Sequence, residues 1–417
     1  MTLSEELTQR GLVNQTTLKD LSVLDQKSLT FYWGVDPSAD SMTVGNLAAA
    51  MMVKLFMKHG HRAVLLIGGA TGMIGDPDGK AEERQLLSLE QINHNKQALE
   101  NQYKTIFQDF NFSIVDNFSW FKDFKYLDFL RDIGKHVPMR QMLNREFVDS
   151  RLALDGNGLS YAEFSYALIQ AYDFLYLMQN YGVSLQLAGA DQWGNSIAGV
   201  DLIRRKTAKE AHVYSCPLII DEATGRKFGK SENGAIWLDP NKTSPTSFYQ
   251  FWINQSDAAV AKYLKIFTEL PLEQIDELMQ RHKQQPEQRL AQAELARQTT
   301  QLVHGSKAMH MAESITDILT GQMSLENLDD ASLIKGLGQE VSHIKVAQNS
   351  QLAEVLVEAK LAQSKTEARQ LIGNGAISLN GVKTQKNQLE PSDFIKGRLL
   401  IRRGKAYKDT ALVEIAS

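Results

Sequence analysis

Apolar residues fall into three regimes along the chain. Leu29–Val35 is a short apolar run rich in aromatics and predicts a strand; Arg62–Ile67 is nearly all apolar and predicts a strand buried on both faces. Between them Leu47, Ala50, Met51, Leu55 and Met57 recur at helical spacing, which predicts a helix over Gly45–His59 that Gly60 stops. Strand, helix and strand of this size predict a βαβ unit with a parallel sheet. Val183–Leu187, followed by a helical pattern from about Gln192 to Arg205, repeats the theme, and residues 86–180 between the two read as a mainly helical insertion.

The second regime is helical throughout. Ser247–Ile253, Ala258–Phe267, Leu272–His282 and Glu287–His304 carry helical spacing, punctuated by Pro245, Pro271 and Pro286. The third begins after Gly336-Leu-Gly338, with short helices near Leu352–Ala359 and Thr366–Ile372, then short strands about Asn380-Gly381, a strong hairpin-turn signal. The expected division is a Rossmann-like α/β domain over 1–225 that includes the insertion, a linker with an α-helical domain over 226–335, and a small α+β domain over 345–417. The length of 417 residues fits more than one domain.

Composition adds exclusions. At 43% hydrophobic and 23% charged the chain is ordinary for a globular protein. Its one cysteine, Cys216, excludes a disulfide framework and a Cys-rich zinc site, and no structural metal is expected. Met1-Thr-Leu-Ser-Glu-Glu-Leu holds no apolar signal core, and no stretch approaches the ~20 apolar residues of a membrane span, so a cytoplasmic protein without membrane contact is expected. Charge is uneven. Residues 341–417 hold twelve Lys/Arg against seven Asp/Glu, net +5, which leaves −9 for the rest of a chain whose total is −4. Such asymmetry fits an appended nucleic-acid module as well as it fits one solvated surface.

Parallel α/β sheets bind ligands beyond the carboxyl ends of their strands. The first such end, Asp36–Asn46, opens a helix whose free N–H groups favour phosphate. Thr43 and Asn46 flank Gly45 and offer side-chain donors there, while an ordinary N-cap at Thr43 is the plainer alternative. The second end, Gly68-Gly-Ala-Thr-Gly-Met-Ile-Gly-Asp-Pro-Asp-Gly-Lys80, admits no G-x-G-x-x-G. It fails as a Walker loop because Ile74 stands where a glycine is required and Ala81 where Ser or Thr is. It is a Gly-rich turn that carries Asp76. Gly225-Arg-Lys-Phe-Gly-Lys-Ser231 is a flexible cationic loop able to stabilise charge on a departing pyrophosphate, or simply an exposed basic loop. Tyr166, Gln170 and Asp173, spaced by four and three, share one helix face, and three polar groups make poor core unless something binds them.

Five segments in this order resemble the class I aminoacyl-tRNA synthetases and, more finely, the bacterial-type tyrosine–tRNA ligase family. They are Tyr32-Trp-Gly-Val-Asp-Pro-Ser-Ala-Asp-Ser-Met-Thr-Val-Gly-Asn46, Gly68–Pro77, Phe164-Ser-Tyr-Ala-Leu-Ile-Gln-Ala-Tyr-Asp-Phe174, Gly189-Ala-Asp-Gln-Trp-Gly-Asn195 and Lys227-Phe-Gly-Lys-Ser231. The resemblance spans essentially the whole chain. Its tail, through Ser364-Lys-Thr-Glu-Ala-Arg-Gln-Leu-Ile372 and Gly375-Ala-Ile-Ser-Leu-Asn-Gly-Val382, resembles an RNA-binding domain of a small-subunit ribosomal protein.

The resemblance implies ATP-driven activation of tyrosine and its transfer to tRNA(Tyr), with Mg2+ accompanying ATP, in a homodimer whose interface includes Met142–Arg151. It implies that Tyr32 and Asp173 hold the substrate phenol, that Asp76, Tyr166 and Gln170 surround its ammonium, and that Gln192 orients its carboxylate. Gly34, Asp36, Gly45, Gly189, Asp191 and Lys230 would line the ATP site. Ser38, Thr43 and Asn46 on one side, with Lys227, Lys230 and Ser231 on the other, would act on the phosphates. Lys365, Arg369, Lys383 and Lys386 would meet RNA phosphates. Arg204 and Arg205, in Arg204-Arg-Lys206, would meet the acceptor stem, unless they only complement a helix C-terminus. Two departures stand out. The family's His-x-Gly-His is Thr43-Val-Gly-Asn46 here, and Trp33 occupies a place where a smaller residue is usual. A catalytically silent RNA-binding relative and a tryptophan–tRNA ligase are the rival readings.

Overall fold

The computed structural model describes residues 1–77, 86–143, 148, 151–152, 158–220, 225, 228–231, 234–327, 331–404 and 409–416, with the backbone alone for 140, 141, 230, 231 and 327. By compactness the chain divides into two units, Met1–Lys242 with Ser256–Ala291, and Thr243–Gln255 with Gln292–Ser417. This differs from the boundaries expected from pattern: the helices Asp257–Phe267 and Leu272–Gln284 belong to the first unit. Arg10 shows why. Its guanidinium donates to the carbonyls of Lys265, Thr268 and Leu270 at 2.8, 3.1 and 2.9 Å, so it satisfies carbonyls where the first of these helices ends.

The first unit is built on six strands: β1 (Gln15–Thr16), β2 (Thr30–Val35), β3 (Arg62–Ile67), β4 (Phe112–Asp116), β5 (Leu185–Gly189) and β6 (His212–Cys216). Their order is β1-β6-β5-β2-β3-β4, parallel except for β1 on β6. The parallel α/β expectation holds. Phe31, Leu65, Leu185 and Val213 are fully buried, as strands covered on both faces require. The predicted first helix forms over Val44–Lys58, and the helix after β5 over Trp193–Thr207. β5 itself lies two residues later than expected. The segment 86–180 is not only helical. It holds the helices Leu89–Ile106 and Tyr161–Tyr181, but also β4, which pairs with β3. β4 escapes an apolar pattern because it is an edge strand in which only Val115 is buried.

The second unit joins the helix Pro245–Ile253, capped by Ser244 with Pro245 in its first turn, to most of the helix Leu290–Thr320. The latter breaks its helical geometry at Gly305, whose φ is 82°, directly after the expected end at His304, and a further helical stretch continues beyond the break to Thr320. Gln250 Nε2 donates to Thr316 Oγ1 at 2.6 Å inside this unit. Beyond lies a five-stranded sheet ordered β11-β10-β12-β13-β9, with β9 at Ser342–Val346, β10 at Ile377–Leu379, β11 at Val382–Thr384, β12 at Arg398–Arg403 and β13 at Thr410–Ile415. (A two-stranded hairpin of the first unit, β7 at Lys230–Ser231 and β8 at Gly234–Ala235, precedes them.) Helices Leu352–Glu358 and Lys365–Gly373 pack Leu352, Leu356, Ala368 and Ile372 against Ile377, Leu399, Ile401 and Val413. The Asn380-Gly381 signal makes the predicted hairpin. Both residues have positive φ, 47° and 85°, as a type I′ turn requires.

Candidate active site

From β2 the chain leaves to β3 and β4 on one side, and β5 and β6 lie on the other. The switch point of the sheet is therefore between β2 and β5, where a doubly wound fold opens a crevice. A cavity of about 380 Å3 lies there. It is lined by the strand ends, the loop after β2, the helix Tyr161–Tyr181 and the turn at Phe228-Gly229.

At its floor stand Tyr32 and Asp173, each 1% exposed. Asn117 Nδ2 donates to Asp173 Oδ2 at 3.0 Å and Trp120 Nε1 to Oδ1 at 2.9 Å. Burial pushes the Asp173 carboxyl up to about 8; the two donors pull the other way, and Asp36 and Asp116 add to the rise. The Tyr32 hydroxyl is buried without a hydrogen-bond partner, and burial beside Asp173 holds its proton firmly. Gln186 stands next to Tyr32 in the parallel register of β5 on β2, with its Oε1 buried and unpartnered as well. The buried Oε1 of Gln170 is in the same condition. Unpaired buried polar atoms cost free energy, so a cavity edged by three of them is made for a polar occupant.

Higher up, Asp36 accepts from Thr71 Oγ1 at 2.6 Å and from Tyr166 Oη at 2.8 Å, while Gln192 Nε2 donates to Asp76 at 2.5 Å. Gly189 lies against Asp191, whose Oδ1 would be 2.7 Å from a Cβ at that position. In the Gly68–Pro77 turn a Cβ at Gly68 would strike the Asp36 carboxylate, one at Gly69 the Asp116 carboxylate and one at Gly72 the Pro37 ring, so these glycines let those side chains lie against the backbone.

The loop after β2 carries the two departures. Asn46 Oδ1 accepts from the Thr43 amide at 2.9 Å and from Thr43 Oγ1 at 3.0 Å. Thr43 thus spends its hydroxyl proton on Asn46, which leaves the Asn46 amide nitrogen as the donor of the pair. Trp33 is 4% exposed and packs against Tyr103 and Phe107, with centroids 5.5 and 6.3 Å away, as part of the cavity wall. Ser38 and Gly45 are exposed on the lining, with Gly34. Of the second loop expected at the phosphates, Lys227 lies outside the described residues, and Lys230 and Ser231 form β7 through their backbone. Phe228 is buried against Tyr263 and Phe267, and Gly229, with φ 81°, rests on Val44. The structure thus brings Tyr32, Gly34, Asp36, Ser38, Thr43, Gly45, Asn46, Asp76, Tyr166, Gln170, Asp173, Gly189, Asp191 and Gln192 to one cavity.

Asn117, Trp120 and Gln186 were not among the residues expected from sequence. Asn117 directly follows β4, so overlooking that strand hides it. The basic candidates sit elsewhere. Arg204 and Arg205 are exposed in the last turn of their helix, Arg204 paired with Asp201 at 2.8 Å. Lys365 pairs with Glu354 at 2.7 Å, and Lys386 with Glu390 and Asp393 at 2.6 and 3.0 Å. Arg369 and Lys383 are exposed and carry no ion pair among the described residues.

Known proteins match this arrangement along its length. The family of class I tRNA synthetases (W and Y) matches residues 24–320, and the tyrosine–tRNA ligase SYY-like C-terminal domain matches residues 333–409. The tyrosine–tRNA ligase of Ligilactobacillus salivarius is 43% identical over 413 residues, 97% of this chain and 98% of that protein. That of Lactococcus lactis subsp. cremoris is 43% identical over 416 residues, with the same coverage. Among solved structures, the C-terminally truncated mitochondrial tyrosyl-tRNA synthetase of Coccidioides posadasii superposes with a TM-score of 0.67 at 31% identity, covering 75% of this chain and 91% of that one. Its Aspergillus nidulans counterpart gives 0.68 at 29%, covering 75% and 92%. The chain belongs to the class I tRNA synthetases (W and Y), and within them to the tyrosine–tRNA ligases.

Proposed function

We propose that the protein activates L-tyrosine with ATP and transfers it to the 3′-terminal ribose of tRNA(Tyr). The observation that carries this reading is the floor of the cavity, where Asp173, aimed by Asn117 and Trp120, faces the same space as the unpartnered Tyr32 hydroxyl. A phenol donates and accepts. It can give its proton to the carboxylate and accept the Tyr32 proton, whereas an indole N–H can only donate and would leave Tyr32 unpaired. That disfavours tryptophan.

In the first step the tyrosine carboxylate attacks the α-phosphorus of ATP, and the bond to the bridging oxygen of the β-phosphate breaks to release pyrophosphate. In the second, a ribose hydroxyl attacks the adenylate carbonyl, loses its proton and expels AMP. A carboxylate is already nucleophilic, so the first step needs positioning and charge stabilisation rather than a base. Asp76, Tyr166 and Gln170 hold the ammonium, Gln192 the carboxylate, and Gly34, Asp36, Gly189 and Asp191 the ribose side. Ser38, Asn46 supported by Thr43, and the loop of Lys227, Lys230 and Ser231 act on the phosphates. Magnesium would accompany ATP, bound mostly through its phosphates.

The tail, over 345–417, contacts tRNA through Lys365, Arg369, Lys383 and Lys386, and Arg204 and Arg205 contact the acceptor end, the catalytic region being 1–225 and the helical one 226–335. The protein works as a cytoplasmic homodimer. Exposed Leu127, Met139, Leu143, Leu152 and Tyr161 support an interface around Met142–Arg151, of which 144–147, 149 and 150 lie outside the described residues. No helix among the described residues is long and apolar enough to cross a membrane. Tyrosine-dependent ATP–pyrophosphate exchange tests the reading. Absence of exchange at saturating tyrosine and ATP overturns it in favour of a silent RNA-binding relative.

A further inference from the structure

The loop after β2 is held from outside the sheet by the helix Leu89–Ile106. Asn95, Leu99 and Gln102 are spaced by four and three, so one helix face meets the loop. Asn95 Nδ2 donates to the Pro37 carbonyl at 2.9 Å, and Leu99, 1% exposed, lines the cavity. Gln102 does more. Its Oε1 accepts the Met42 amide at 2.8 Å, and its Nε2 donates to Ser41 Oγ at 2.8 Å. The Ser41 hydroxyl also accepts the Asp239 amide at 3.1 Å and donates to the Met42 carbonyl at 2.8 Å. One donor and two acceptor sites are all a hydroxyl has, so this one is saturated.

That hydroxyl is the start of a ladder. Leu238 N donates to Met42 O at 2.9 Å, Val44 N to Ile236 O at 3.0 Å, and Ile236 N to Gly229 O at 2.8 Å. Thr43 bridges to Trp237 in the same register, and Lys242 pairs with Asp40 while it lies 4.6 Å over the Trp237 ring. The segment 236–239 therefore ties the start of the Thr43–Asn46 helix turn to Gly229, which directly precedes Lys230. Gln102 sits at the open end of this ladder and grips both of the residues that anchor it.

We propose that Gln102 is a positioning residue for the ATP step: through Ser41 and Met42 it sets the distance between the two phosphate loops without touching substrate itself. The proposal rests on the reading of those loops as the ATP-phosphate site. A displacement of about 1 Å in a reacting geometry costs on the order of 10²-fold in rate, and the two Gln102 bonds are what hold Ser41 and Met42 from the helix side.

The test is Gln102→Met, which keeps the length and removes both bonds, in the full-length protein. Pyrophosphate exchange is measured against ATP, and tyrosine binding is measured without ATP by calorimetry. The expected result is a fall of about 10–100-fold in kcat/KM for ATP with tyrosine affinity within about twofold of wild type. Gln102→Glu, which retains the acceptor for the Met42 amide but not the donor to Ser41, is expected to fall between the two, and it carries the test alone if Gln102→Met does not fold. Unaltered ATP parameters overturn the proposal. So does a matching loss of tyrosine affinity, since that marks general damage to the pocket. Inactive wild type, by contrast, overturns the ligase reading, whereas an active wild type with an unaffected variant removes only the role of Gln102.

Discussion

The Trp120 indole donates to Asp173 Oδ1 at 2.9 Å across 53 residues of sequence, so the carboxylate at the cavity floor is aimed by a segment that follows the edge strand. Trp120 also stacks on Tyr176, 4.3 Å between centroids. Trp120→Phe keeps a ring for that stack and loses the donor. A donor to the charged form lowers a carboxyl pKa, so its loss raises that of Asp173 further. Tyrosine affinity at pH 7 is expected to fall about tenfold, because a smaller fraction of the carboxyl is then ionised there, and to recover in part at pH 9. Calorimetric titration at both values checks this; equal affinity to wild type at both contradicts it.

Asp173 also couples stability to pH. Its carboxyl titrates at about 8 in the fold, against the ordinary 3.8. Between those values the unfolded chain has released a proton that the folded chain retains, so this group's contribution to stability falls as pH rises. Relative to Asp173→Asn, which does not titrate, the wild type should lose stability from about pH 4 to about pH 8 and level off on either side. Parallel denaturant unfolding across that range measures it, and a pH-independent difference would rule the shift out. Asp173→Ala is expected to abolish tyrosine-dependent exchange while circular dichroism stays that of the wild type.

At the loop proposed to meet the ATP phosphates from the β2 side, the donor left over is the Asn46 amide nitrogen. Asn46→Ala removes it, together with the acceptor that holds Thr43. Loss of one preorganised donor at developing charge costs on the order of 10²–10³-fold. Exchange kcat should drop by about that factor while tyrosine binding stays at the wild-type value. A drop in tyrosine affinity instead would assign Asn46 to the other substrate.

The tail should discriminate among its own cations. Lys365 and Lys386 are engaged with Glu354, Glu390 and Asp393, whereas Arg369 and Lys383 carry no such partner among the described residues. Arg369→Ala and Lys383→Ala are expected to raise the KM for tRNA more than Lys365→Ala and Lys386→Ala, with exchange unaffected and with a shallower dependence on salt. Aminoacylation kinetics at two ionic strengths decide this, and equal effects of all four overturn it.

What the chain reveals by pattern follows burial. β2 and β3 announce themselves because Phe31, Tyr32, Val64 and Leu65 are sheltered on both faces. β4 does not, since Phe112, Ser113 and Ile114 stay partly exposed at the sheet edge. With β4 went Asn117, a polar residue of no periodic pattern whose meaning comes only from where the strand delivers it. The helix face of Tyr166, Gln170 and Asp173 could be read from spacing alone. Gln102 could not, because its partners, Ser41 and Met42, are far from it in sequence and one of them, Met42, binds through its backbone. The break at Gly305 was legible, since helical spacing ends at His304, directly before it.

Thr43 and Asn46 have one more consequence. A first phosphate loop lined by histidines would change its charge within the range a living cell visits, as imidazole does near neutrality. A hydroxyl and a carboxamide do not ionise there. On the reading proposed for this loop, its grip on nucleotide is thereby insulated from acid, and this part of the site keeps a single electrostatic state as the pH falls.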